Sequence, residues 1–94
     1  MIKRYFVVVG IEDEFGWIYE EVEGKTEKGK VLLVNPLERY YFEEVFNLSD
    51  VLEITEDVYN KILKLRYASA EDGWSDQDED KLQEIVNEVI KQNR

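Results

Sequence analysis

Any chemistry in this chain would have to come from carboxylates, because its 94 residues include no histidine and no cysteine. Asp76, Asp78 and Asp80 alternate along Asp76-Gln77-Asp78-Glu79-Asp80, the spacing of oxygen ligands that opens a calcium loop. Such a loop needs glycine at its sixth position and a bidentate Glu at its twelfth. The chain has Lys81 and Asn87 there, so calcium is not expected. Glu20-Glu21 and Glu43-Glu44 are the paired carboxylates that acid–base hydrolysis would use. Both pairs fall in segments read below as strands, where neighbouring side chains point to opposite faces, so neither pair can flank one bond. Zinc sites, thiol chemistry and Ser-His-Asp triads lack their obligatory side chains. The five glycines form no phosphate-cradling loop. The expectation is a protein without catalytic activity, cofactor or metal.

Charge distribution is more informative. Residues 12–23, 43–57 and 71–80 each carry six acids and no base, which accounts for 18 of the 22 acids. The bases gather elsewhere, in Lys25, Lys28 and Lys30 and in Lys61, Lys64 and Arg66. With a formal net charge of -10, the surface repels the phosphates that a nucleic-acid binder must neutralise with Lys and Arg. An anionic membrane leaflet is disfavoured for the same reason. Segregated charge of one sign suits association with a strongly basic protein, because it steers the encounter. The competing explanation is a solvated surface that aids solubility, with the carboxylates of residues 76–80 complementing the dipole of a helix start.

Trp74 stands in the third acidic window. An aromatic rimmed by Asp and Glu is a plausible interface anchor, although the ring could equally plug the end of a seam between two helices. The residues assigned to partner binding are Glu71, Asp72, Trp74, Asp76, Asp78, Glu79 and Asp80.

The elements that must position these residues follow from periodicity. Tyr5 to Ile11 is nearly all β-branched, aromatic or aliphatic, as in a strand covered on both faces, with Gly10 marking a bulge. Trp17 to Val22 reads as a second strand and Val31 to Val34 as a short third, joined through a turn containing Gly24 and Gly29. Residues 36–47 are ambiguous. Asn35 could cap a helix with Pro36 at its first position, but Tyr40, Tyr41 and Phe42 favour a fourth strand over Arg39 to Glu43. A short edge strand is expected at 51–54.

Thr55 caps a helix over 56–70 carrying Val58, Ile62 and Leu65, with Asp57 and Lys61 at pairing distance along it. Ser75 caps a second over 76–92, with Asp78 closing a capping box. Its Leu82, Ile85, Val86, Val89 and Ile90 follow the i, i+3, i+4, i+7, i+8 pattern.

The prediction is a single domain over 1–94 with an α+β fold. A three- or four-stranded antiparallel sheet within residues 2–44 precedes the two helices. With 44% hydrophobic residues, the domain can bury a core without staples.

The N-terminal run resembles a secretory leader briefly, yet it is too short and meets Glu12-Asp13-Glu14 in place of a cleavage site. The protein is therefore expected in the cytoplasm, and the sequon Asn47-Leu48-Ser49 is expected to be incidental. The leading functional expectation is a small acidic inhibitor or modulator of the kind found among viral and mobile-element proteins, covering a basic surface that in its partner could serve nucleic acid. The alternatives are an assembly module that self-associates through the last helix or a sheet edge, and a small ligand-binding regulatory domain.

Overall fold

The computed structural model describes residues 3–23, 26–35 and 43–93. Five strands, β1 (Tyr5–Val8), β2 (Ile18–Glu21), β3 (Lys30–Val34), β4 (Glu43–Asn47) and β5 (Val51–Ile54), precede two helices, α1 (Glu56–Asp72) and α2 (Asp76–Gln92). The strands form one sheet in the order β4-β3-β2-β1-β5, every neighbour antiparallel. The α+β class is as the sequence implies, and the five strands match the fullest count expected, four ahead of the short strand at 51–54.

The order forces a shape. In a flat five-stranded sheet the edge strands β4 and β5 would lie about 19 Å apart. Asn47 and Val51 are separated only by a 3-10 turn over Leu48–Asp50, a link that reaches at most about 14 Å even when extended. The sheet must therefore coil towards a partly closed barrel. Phe6, Val8, Tyr19, Val31, Leu33, Phe46 and Val51 fill the inside as one buried cluster, where the rings of Tyr19 and Phe46 stand 4.8 Å apart.

A second cluster lies on the outer face. Val7, Ile18 and Ile54 meet Tyr59 and Ile62 of α1 and Leu82, Val86 and Val89 of α2. Register accounts for the division, since Phe6 pairs with Tyr19 on the inner face and Val7 with Ile18 on the outer. Burying side chains such as Phe6, Ile18 and Leu33 almost completely contributes roughly 1.5–3 kcal/mol each.

Three glycines act at close approaches or turns. Val9 and Gly10 both donate to the Asp50 carbonyl, two residues opposing one as in a β-bulge. A Cβ on Gly10 would lie 2.8 Å from the Asp50 Cα. Gly16 has φ +84, and a Cβ there would lie 2.7 Å from Leu82 Cδ2, so α2 docks onto the β1–β2 connection through a position that only glycine suits. Lys28 and Gly29 both have positive φ between the bridged pair Glu27 and Lys30, the two-residue turn that matches strand twist.

Several expectations need correction. The fourth strand runs over Glu43–Asn47, so the helical alternative fails for residues 43–47, whereas 36–42 lie outside the described residues, as do Gly24 and Lys25. The first strand stops at Val8, because the bulge at Val9 and Gly10 breaks the ladder. Asp57 and Lys61 do not meet in an ion pair. The helices match closely: Thr55 Oγ1 accepts from the Val58 N–H at 3.2 Å, and the Ser75–Asp78 capping box forms.

Candidate functional site

The third acidic window folds largely upon itself. Asp78 Oδ2 accepts from the Ser75 N–H at 3.0 Å and from its hydroxyl at 2.9 Å, so this carboxylate is committed to starting α2. Glu79 Oε2 accepts from Trp74 Nε1–H at 2.8 Å, and its other oxygen accepts from Gln83 at 3.3 Å. The Trp74 ring lies against Arg66 of α1, whose guanidinium carbon is 4.8 Å from the ring centroid. Burial pushes the Arg66 pKa down and the nearby Glu79 carboxylate opposes that shift. Trp74 thus closes the helix–helix seam with one face, as one of its two readings from sequence expects, while remaining 39% exposed.

Asp76 and Asp80 are exposed. Glu71 and Asp72 fall in the last turn of α1, and their side chains lie outside those described. Of the seven predicted site residues, the structure links Trp74 to Glu79 directly. Asp76 and Asp80 flank them on the first turns of α2.

Two of the three acidic windows approach one another, and the first turns of α2 pack beside one of them. Glu14 sits in a 3-10 turn over Glu12–Glu14. Desolvation raises its pKa first, and the negative charges of Glu44 on β4 and of Asp13 add to the rise. Asp50 belongs to the same region through its contact with Gly10, two residues before that turn. On the other side, Gly16 packs on Leu82, one helical turn beyond Asp78. Windows 12–23 and 43–57 therefore lie near enough for the charge of Glu44 to act on Glu14. The N-terminal part of α2 abuts the first of these windows through Gly16.

Not every acid joins this surface. The neighbours Glu20 and Glu21 do face opposite ways. Glu20 receives Lys3 at 3.0 Å and the Tyr59 hydroxyl at 3.0 Å, where burial and that carboxylate hold the phenol well above its usual range. Glu21 receives Arg4 at 2.8 Å, and Arg4 reaches Glu53 of β5 at 3.1 Å. One cation thereby ties β1 to both neighbours. Among the described residues no group of three or more acids is arranged to hold a metal ion, and no helix is long and apolar enough to cross a membrane.

The apolar stripe of the last helix is consumed by the core, since Leu82, Val86 and Val89 are buried against the sheet. Ile85 and Ile90 of the same stripe pack against that core but stay partly exposed. Sequence inspection missed three exposed apolar or aromatic positions, Val45 on β4, Leu48 just after it and Tyr67 on α1. Nothing in their local spacing distinguishes them from core residues, because exposure here depends on where α1 and α2 end up. No protein-family model, curated protein or solved structure matches the chain.

Proposed function

We propose that this protein is a small acidic binding module without catalytic activity that covers a basic surface of a partner protein. Its carboxylates would stand where phosphates otherwise bind, so a partner surface built for nucleic acid is a natural target. The observation that carries this reading is that acids of separate segments lie on one side of the fold: the Asp50 carbonyl accepts from Val9 and Gly10 just before the Glu12–Glu14 turn, and the charge of Glu44 adds to a rise in the Glu14 pKa that burial begins. Placing like charges together lowers stability, and an interface that needs a field of one sign provides a reason to keep them. A cytoplasmic location is part of the same proposal.

The test is a pull-down with the tagged full chain as bait in lysate of its source or host, washed first at low salt and then at about 0.5 M, where screening shortens to a few ångström. A stoichiometric partner with a basic groove, released by salt and lost with Asp76→Asn/Asp80→Asn or Glu14→Gln/Glu44→Gln, supports the reading. A complex indifferent to salt defeats its electrostatic basis.

A second reading, assembly through self-association, draws support from β4. This strand lies at the sheet edge, and its Val45 is 59% exposed beside Leu32 of β3. Light scattering that returns a monomer mass at every concentration would exclude it.

A further inference from the structure

A groove on the outer side of the helical hairpin is lined by more bases than acids, the reverse of the balance in the molecule as a whole. Positions 61, 64, 65 and 68 share one face of α1 at i, i+3, i+4, i+7 spacing, and positions 81, 84 and 85 share one face of α2. Between these stripes runs an open groove of about 500 Å³ lined by both. Leu65, Ala68 and Ile85 form its floor; Lys61, Lys64 and Lys81 form its rim, with Glu84 the one acid among the lining residues. Leu65 and Ile85 also pack on the outer core cluster, so the floor is backed by rigid structure.

Charge and shape together specify an occupant. Acids outnumber bases 22 to 12 in this chain, yet Lys61, Lys64 and Lys81 enter none of the ion pairs formed among the described residues. Three ammonium groups around an apolar floor complement a ligand that is apolar on one side and anionic on its flanks. A groove between two helices accepts a third helix, whose i, i+3, i+4 and i+7 side chains fill the floor. The α1 stripe rises about 11 Å, so two to three turns of such a helix suffice.

We propose that this groove docks an acidic amphipathic helix of a partner protein. Apolar side chains of that helix rest on Leu65, Ala68 and Ile85, and its Asp or Glu residues meet the three lysines. The site is separate from the acidic surface described above and does not depend on it. With both engaged, the protein would bridge a basic partner and an acidic one.

The test uses the full chain and a fluorescein-labelled peptide of about 14 residues, roughly 21 Å of helix. Leu occupies the i, i+3, i+4, i+7 positions and Glu the others. A scrambled peptide of the same composition is the control. Fluorescence anisotropy should show the striped peptide binding at least about tenfold tighter than the scramble, a difference of about 1.4 kcal/mol.

Lys64→Glu/Lys81→Glu and, separately, Ala68→Glu should each weaken binding about tenfold or more, and Glu14→Gln should leave it unchanged. Ala68 and both lysines are exposed and Glu is a good helix former, so circular dichroism should show these variants folded. Amide shifts in NMR spectra should cluster at residues 61–68 and 81–85. Equal affinity for the scramble, no binding of the striped peptide, or indifference to Ala68→Glu overturns the proposal. Saturable binding of anionic vesicles, or dimerisation abolished by Ala68→Glu, in place of peptide binding would overturn it in favour of a lipid surface or a second copy.

Discussion

The Tyr59 hydroxyl on α1 donates to Glu20 Oε1 on β2 at 3.0 Å, while its ring lies 4.2 Å from that of Tyr5 on β1. One side chain thus fastens the first helix to two adjacent strands, by a hydrogen bond to one and ring contact with the other. Tyr59 is buried, so its hydroxyl needs this partner, and Lys3 keeps Glu20 charged company at 3.0 Å.

Tyr59→Phe keeps the ring and removes the hydroxyl. Stability should fall by about 1 kcal/mol at neutral pH, a drop of roughly 4–8 °C in Tm for a domain of this size. The phenol pKa is raised in the folded state, first by burial and then by the bond to Glu20. Its contribution is therefore complete below the unfolded-state pKa of about 10 and declines as pH rises above it. Urea titrations at pH 8 and at successive values above 10 should show the deficit of Tyr59→Phe shrinking by about 1.4 kcal/mol per pH unit. A constant deficit would mean that the hydroxyl does not hold its proton in the fold.

Gly16→Ala should be far more damaging. The backbone there has φ +84, and the new Cβ would meet Leu82 Cδ2 at 2.7 Å. A side chain in this conformation costs about 1–2 kcal/mol, and overpacking adds about 1–3 kcal/mol. Pairing the change with Leu82→Ala should recover part of the steric cost, so the two substitutions should be non-additive in denaturant unfolding. Additive losses would show that α2 does not bear on Gly16.

How far the fold could be read from sequence depended on whether a segment's environment was set locally. The apolar stripe of α2, the caps at Thr55 and Ser75 and the brief Val51–Ile54 strand all carry their signals within a few residues. β4 does not, since among Glu43–Asn47 only Phe46 is buried and the aromatic run just before it drew the predicted strand upstream. The curl of the sheet could not be read because it arises from strand order combined with a three-residue link. For the same reason the influence of Glu44 on Glu14, thirty residues away in the chain, has no sequence signature. The groove was half visible: the lysines stood out as bases, but the floor exists only once Leu65 and Ile85 come together from different helices.

Glu14→Gln should stabilise the protein slightly at neutral pH. Desolvation, followed by Glu44 and Asp13, raises the Glu14 pKa. A carboxyl shifted in that direction favours the fold most when protonated, below its unfolded value, and loses that contribution as pH rises through the folded value. Substitution should therefore raise Tm at pH 7 by an amount corresponding to about a few tenths of a kcal/mol, and the gain should vanish below about pH 4. Glu44→Gln should reproduce part of it and lower the Glu14 pKa in carboxyl-carbon NMR titrations. If Glu44→Gln left that pKa unmoved, the two acidic windows would not meet in solution.

Trp74 lets the structural and functional roles of the third window be separated. Its indole N–H donates to Glu79 at 2.8 Å, and its ring stacks on Arg66 at 4.8 Å, yet more than a third of it faces solvent. As a seam plug it contributes one hydrogen bond of about 1 kcal/mol and a partly exposed cation–π contact of about 0.5–1 kcal/mol. Trp74→Ala should thus lower stability by about 1–2 kcal/mol. As an interface anchor it should contribute about 2 kcal/mol or more to partner binding, near thirtyfold in Kd. Arg66→Ala distinguishes the two roles, because it removes the stacking partner and leaves the indole present. If the exposed face of the ring is the anchor, Arg66→Ala should match Trp74→Ala in part of the stability loss but retain most of the affinity for the basic partner. Should both variants lose affinity in proportion to their loss of stability, Trp74 would be a structural plug alone, and the acids around it would have to bind without an aromatic anchor.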